Sequence, residues 1–242
     1  MTKLHKALLA RLDKAAWEYK MFDDNDTVVM ACSGGADSMA LLELLTHRIN
    51  VYAENIKLYA VYVDMGFGSH IEHRCNQMQA FFQSHNLEYS ILRTDMGPYA
   101  HSENNRENPC FLCAKMRRKI IFETADELGC NKIAFGHHKD DIIETLFINM
   151  FYNREISTMA PKLEVFQGKF QLLRPLVYIE EELIKKFIRE QNINLVDQEC
   201  PTDGHSKRQF IKNLLNQLET QVQGVRQNIF VSMKHVKSDY LL

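Results

Sequence analysis

The chain has 242 residues, 45% hydrophobic and 25% charged, the ordinary proportions of a globular protein with ample material for a buried core. With 29 basic and 31 acidic residues its net charge of -2 removes any global electrostatic argument for nucleic acid, so a nucleic-acid surface must be local. Six cysteines without a secretion signal are too sparse for a disulfide scaffold, and no apolar run approaches the roughly 18 residues that span a bilayer, so a soluble, unprocessed, cytoplasmic chain with no membrane partner is expected.

Leu4, Leu8 and Leu12 recur at helical spacing before Trp17, which predicts an amphipathic N-terminal helix within residues 1–24. After the acidic turn at Asp23, Asp24 and Asp26, the β-branched run 27–31 predicts a buried first strand, and 38–48, with Leu41, Leu42, Leu44 and Leu45, a helix. A second strand is expected over 58–63, ending at Asp64, with Gly66 and Gly68 turning the chain out of it. Residues 71–85 read as helix and 89–92 as strand, while 94–109 is a long polar stretch of the kind that is often functional. Helix is expected again over 113–128, stopping at Gly129, then strand 132–135, helix 141–151, strand 171–173, helix 180–191, and a mostly helical tail from Lys207 onward. Strands alternating with helices of ten or more residues define an α/β fold, a doubly wound parallel sheet, here spanning 25–200, with helical appendages at 1–24 and 201–242.

Ligands of such a sheet bind beyond the carboxyl ends of the strands, and Ser33-Gly34-Gly35-Ala36-Asp37-Ser38 occupies the first strand-to-helix turn. Gly34 and Gly35 allow positive φ and close approach to an anion, Ser33 and Ser38 add hydroxyl donors, and the following helix points free N–H groups at phosphate. The spacing fits neither the Walker A loop nor the dinucleotide fingerprint. It resembles the SGGxDS loop of the PP-loop, or N-type ATP pyrophosphatase, superfamily, whose members split ATP between the α and β phosphates; Asp37 then suits a Mg²⁺ ligand. A second patch, Gly136-His137-His138-Lys139-Asp140-Asp141, follows strand 132–135 at the same edge. Gly136 and His137 are candidate nucleotide contacts, Asp140 or Asp141 a candidate Mg²⁺ or substrate-orienting carboxylate, and Lys139 and His137 candidates for neutralising transition-state charge.

Cys110-Phe111-Leu112-Cys113 stands at the mouth of a helix, where free N–H groups and Lys115, Arg117, Arg118 and Lys119 lower thiol pKa values and favour redox chemistry or metal ligation. Cys130 reads as a small core residue, and Cys32 either packs or carries a persulfide. His70, His73 and Cys75 lie along a helix-forming segment without an obvious fourth zinc ligand. The basic clusters 115–119 and Lys207-Arg208 serve either as phosphate contacts or as solvated faces.

Taken together, the 33–38 loop, the C-x-x-C pair, the 136–141 patch followed by Glu144-Thr145-Leu146, Leu173-Arg174-Pro175-Leu176 and a lone Cys200 resemble the tRNA 2-thiocytidine synthetase (TtcA) family over roughly residues 28–215. The resemblance implies that Cys110, Cys113 and Cys200 hold a 4Fe-4S cluster with one iron left open for sulfur. It also implies an enzyme using ATP and Mg²⁺ to adenylate O2 of an anticodon-loop cytidine of tRNA and replace it with sulfur, with a cysteine desulfurase as donor. A homodimer is the assembly common among related enzymes. The family loop often carries lysine where this chain has Ala36. Two other functions remain open: a PP-loop sulfurtransferase or ligase acting on another tRNA base or a small molecule, and a non-catalytic ATP-binding module.

Overall fold

The computed structural model describes residues 1–52, 55–196, 199–202 and 206–240. Six strands, β1 (Thr27–Cys32), β2 (Lys57–Asp64), β3 (Glu88–Arg93), β4 (Lys132–Phe135), β5 (Lys162–Val165) and β6 (Phe170–Leu173), form one sheet in the order β3-β2-β1-β4-β6-β5. All neighbours pair in parallel except the terminal β5–β6 hairpin. β5 is only four residues long, Lys162-Leu163-Glu164-Val165, too short for its alternation to stand out, and both its inner residues, Leu163 and Glu164, are exposed; this edge strand is absent from the sequence reading for that reason.

Period-2 alternation along β1 divides the core. Val28, Met30 and Cys32 enter a large cluster on one face of the sheet, and Val29 enters a smaller one on the other. The large cluster takes Leu8, Leu12 and Ala15 from α1 (Lys3–Glu18), Met39 to Leu45 from α2 (Ala36–Tyr52), Met78 and Phe82 from α3 (Ile71–Ser84), and Ile184 and Phe187 from α7 (Glu181–Glu190). Ile211 and Leu215 of α8 (Lys207–Gln221) and Phe230 of α9 (Val225–Ser232) join it, so the terminal helices expected as appendages share the central core. On the opposite face α5 (Pro109–Glu127) supplies Ile121 and Ala125.

The long polar stretch contains a short helix, α4 (Met96–Ala100), after which the chain reaches α5 through an Asn108 side chain that accepts from the Phe111 N–H. Pro109 starts α5 four residues earlier than the apolar periodicity indicates, because Pro is well placed in a first turn and the Asn cap replaces the missing apolar signal. Likewise α6 (Lys139–Ile148) is capped by His138 and passes into a π-helical turn, Asn149–Asn153. Among the described residues no helix is long and apolar enough to cross a membrane.

Candidate functional site

The strand order reverses direction between β1 and β4, and the loops leaving these neighbours meet at the switch point. In the β1 loop Gly34 has φ +83, and a Cβ there would fall 2.6 Å from Cβ of Val196. Ser33 and Ser38 close the loop on itself: the Ser38 hydroxyl accepts from the Ser33 N–H at 3.1 Å and donates to the Gly35 carbonyl at 3.0 Å. Met39 N–H makes the first helical bond, to the Gly35 carbonyl at 3.1 Å. The N–H groups of Ala36, Asp37 and Ser38 therefore precede the helical ladder at the positive end of a 17-residue helix, a ready-made anion site.

Gly136 explains how the second loop comes so near. A Cβ on it would lie 2.9 Å from the Asp37 carbonyl carbon and from the Ser38 nitrogen. Both are backbone atoms that cannot swing aside. Gly136→Ala is therefore expected to push the two loops apart, to cost about 1–3 kcal/mol of stability, and to weaken ATP binding by at least about tenfold; calorimetry of nucleotide binding alongside thermal melts checks both.

Between the loops lies His138, a residue the sequence reading passed over in favour of His137. Its Nδ1 accepts from the Asp141 N–H at 3.4 Å, while the Asp141 carboxylate accepts from the His138 N–H at 3.1 Å, a reciprocal cap. Its Nε2 stands 3.6 Å from the Asp37 carboxylate and 3.4 Å from that of Asp141. The available signal was positional: His138 is the residue just before the acidic first turn, where a side-chain cap belongs.

The two acids of that turn part company. Asp140 accepts from the Glu181 N–H at 2.8 Å and from Arg226 at 2.9 Å, so both its oxygens tie α6 to α7 and α9. Asp141 pairs with Arg208 of α8 at 2.7 Å, and Arg208 also reaches Glu144 at 3.1 Å. Lys139, a candidate for transition-state charge, is buried and donates to Glu180 at 2.9 Å and Gln227 at 2.5 Å. It is a strut between helices, because the N1 side chain of α6 projects away from the β1 loop. Asp37 is different: its side chain is 42% exposed, with His138 Nε2 3.6 Å away. Desolvation in the cleft, with Asp141 and Glu181 adding to it against His138 and Lys212, pushes its carboxyl up to about 6. One open carboxylate beside phosphate donors could hold Mg²⁺, which usually takes one or two carboxylates plus phosphate oxygens.

Among the described residues the buried Nδ1 of His137 has no hydrogen-bond partner, and burial lowers its pKa, which favours the neutral ring. Arg174, one residue past β6, has an Nε in the same condition; its Nη1 bonds the Ala160 carbonyl, and burial lowers it to about 10.

The cysteines gather a short distance along the same edge. Cys110 is exposed in the first turn of α5, and Cys113 and Cys200 are half-buried. Cys110 Sγ and Cys200 Sγ lie 3.3 and 3.4 Å from one atom, Thr202 Oγ1. Burial and the neighbouring Cys200 raise the Cys113 thiol while Arg117 opposes them, so the depressed pKa expected from the helix N-terminus does not hold at this residue. Among the described residues no three His, Cys, Asp or Glu side chains are gathered around a single-ion position, and this covers His70, His73 and Cys75 as well. Cysteine thiolates are the donor chemistry of a polynuclear iron-sulfur cluster, and of the three cysteines Cys110 and Cys200 meet at one hydroxyl while Cys113 lies one turn along α5 from Cys110. Cys32 is buried in the core cluster, and burial pushes its thiol up to about 12, which favours packing over a reactive thiolate.

Val196 N–H donates to the Gly34 carbonyl at 3.0 Å, and a few residues later in the sequence Cys200 and Thr202 meet Cys110. The β2 loop is held by a buried ion pair, Arg74 to Asp64 at 2.8 Å, with Arg74 also donating to the Phe67 carbonyl at 2.6 Å and facing Glu199 at 3.9 Å.

A switch-point phosphate loop backed by a second acidic loop defines a PP-loop nucleotide-binding protein, and the PP-loop domain model matches residues 4–219. The tRNA-cytidine(32) 2-sulfurtransferase of Methylobacillus flagellatus is 34% identical over 244 residues, 99% of this chain and 78% of the relative. That of Pectobacterium carotovorum is 32% identical over 246 residues, 100% and 77%. The chain belongs to the tRNA-cytidine(32) 2-sulfurtransferase family. Among solved structures, the U34-tRNA thiolase NcsA of Methanococcus maripaludis with its [4Fe-4S] cluster superposes with a TM-score of 0.79 at 22% identity, covering 97% of this chain and 81% of that one. The NH3-dependent NAD synthetase of Campylobacter jejuni gives 0.53 at 14%, covering 99% and 95%. These two likenesses speak to the fold.

Proposed function

We propose that this chain is an ATP-dependent tRNA sulfurtransferase that adenylates O2 of an anticodon-loop cytidine and exchanges it for sulfur. The observation that carries the reading is a pair of contacts close together in sequence: the Val196 N–H on the Gly34 carbonyl of the phosphate loop, and Cys200 beside Cys110 at the Thr202 hydroxyl. A base seated between the phosphate loop and these thiols would meet the ATP in the first step and the sulfur in the second.

The first step is attack of the cytidine O2 on the α-phosphate, with pyrophosphate leaving. The N–H groups of Ala36, Asp37 and Ser38 face the charge on that leaving group, and Asp37 would hold Mg²⁺ there, with Asp141 and His138 fixing the wall behind it. In the second, sulfur at the sulfide level forms a bond to C2, AMP leaves with the former O2, and the proton passes to solvent, so no external oxidant or reductant is consumed. Cys110, Cys113 and Cys200 would hold a 4Fe-4S cluster, which when bound supplies an open iron for sulfide. A cysteine desulfurase is the expected donor, the cytoplasm the setting and a homodimer the assembly.

Pyrophosphate release measured with and without tRNA tests the reading. Release is expected to depend on tRNA, and Cys110→Ser is expected to keep it while losing at least about 100-fold in 2-thiocytidine formed, since thiols enter only after adenylation. Tight ATP binding without turnover under any condition would instead support a non-catalytic module, and release driven by a small molecule alone would move the substrate away from tRNA.

A further inference from the structure

Thr202 plays no part in the chemistry outlined above, yet its hydroxyl has three neighbours. Cys110 Sγ lies at 3.3 Å, Cys200 Sγ at 3.4 Å and His101 Nε2 at 3.3 Å. The hydrogen positions follow from the partners. His101 Nδ1 faces the Gly97 carbonyl at 3.0 Å, and a carbonyl only accepts, so Nδ1 is the N–H donor. In that tautomer Nε2 accepts the Thr202 O–H. The lone pairs of Thr202 are left to accept the S–H groups of Cys110 and Cys200.

The His101 ring is itself fixed. It meets Phe67 edge-on at 5.2 Å between centroids, and Phe67 belongs to the β2 loop whose carbonyl accepts from Arg74. Thr202 is thus anchored from a part of the fold separate from both cysteine segments. The hydrogen-bonded order runs Gly97, His101, Thr202 and then the two sulfurs.

Resting on the reading of Cys110, Cys113 and Cys200 as cluster ligands, we propose that Thr202, aimed by His101, is a positioning residue that holds Cys110 and Cys200 side by side in the metal-free chain. When those cysteines ligate iron, their thiol protons go to solvent and the sulfurs change from donors to acceptors. The Thr202 O–H can then turn from His101 to a ligating sulfur. A hydrogen bond to a cluster sulfur is one of the levers that set reduction potential, and partners of metal ligands typically change metal affinity by about 10–100-fold when removed.

Three variants test this: Thr202→Val, which keeps the shape and removes the hydroxyl; Thr202→Ser, which keeps the hydroxyl; and His101→Phe, which keeps a ring against Phe67 and removes Nε2. In metal-free protein, mass-spectrometric alkylation of Cys110 and Cys200 is expected to speed up by about fivefold in Thr202→Val, the worth of one hydrogen bond, to change in the same direction in His101→Phe, and to stay at the wild-type rate in Thr202→Ser. After anaerobic reconstitution, iron retention against a chelator is expected to fall by about tenfold in Thr202→Val and the electron-paramagnetic midpoint potential to become more negative, with both restored by Thr202→Ser. Alkylation rates equal to wild type in Thr202→Val overturn the positioning role whether or not iron binds. Wild-type protein that takes up no iron, while the alkylation pattern holds, overturns the cluster reading and leaves the hydroxyl as a device of the thiols alone.

Discussion

Asp37→Asn is expected to lower tRNA-dependent pyrophosphate release by about 10²–10³-fold, the size of loss found when one preorganised contact to developing charge is removed. Asparagine keeps the shape of the side chain, and the Asp37 side chain is 42% exposed, so the melting temperature should hardly move. The pH profile is the sharper readout. With the carboxyl raised to about 6, chiefly by desolvation, the metal-binding form is the minor one at lower pH and dominates above it. The rate should therefore climb as pH rises through about 6 and level off, and this limb should vanish in Asp37→Asn. Initial rates across the range at sub-saturating Mg²⁺, where metal and proton compete for the carboxylate, would show it; a limb that survives in the variant assigns the titration to another group.

Arg74→Met should give the largest loss of stability, about 3–5 kcal/mol, because it strands the fully buried Asp64 carboxylate. At about 2–4 °C per kcal/mol for a chain of this size, the melting temperature falls by about 6–20 °C. Burial by itself would push the Asp64 carboxyl up, but Arg74 and the Gly66 N–H more than offset it and hold the group below its ordinary value. The sign follows. In the wild type this contribution is present above the unfolded pKa of about 3.9 and is lost as pH falls through the depressed folded value. In Arg74→Met only the Gly66 N–H and the Tyr62 hydroxyl still oppose the desolvation, the folded pKa rises, and the variant should lose less stability than the wild type on acidification. Urea melts at neutral and mildly acid pH measure both effects, and a neutral-pH loss under 1 kcal/mol would show that the pair contributes little. Because Arg74 also fixes the Phe67 carbonyl, the variant should loosen the β2 loop against which His101 packs.

Local chemistry wrote much of the molecule into the sequence. The alternation of apolar strands with longer helices gave the α/β class, since buried parallel strands must be continuous apolar runs and their crossovers must be helices. The loop 33–38 announced a phosphate site because glycine pairs, hydroxyls and a helix start are adjacent in the chain. C-x-x-C at a helix mouth is equally local. Gly136 and the acidic turn were visible as a patch at the same edge.

What the sequence did not hold was direction. Asp140 and Asp141 are neighbours on one helix turn, and only the packing of α7, α8 and α9 shows that Asp140 is consumed by Arg226 and the Glu181 N–H while Asp141 stays beside Asp37 and His138. Lys139 looked like a catalytic cation and is a buried strut, for the same reason. The helix N-terminus should lower a thiol pKa, yet burial beside Cys200 outweighs it at Cys113. The meeting of Cys110 with Cys200 joins positions about 90 residues apart through Thr202, and the bond from Val196 to Gly34 ties the chain after α7 to the phosphate loop. Periodicity and spacing report what one segment does to its own backbone. Which side chains face one another across segments is decided by how the whole core closes, and there the tertiary structure alone set His138 between Asp37 and Asp141 and Thr202 between Cys110 and Cys200.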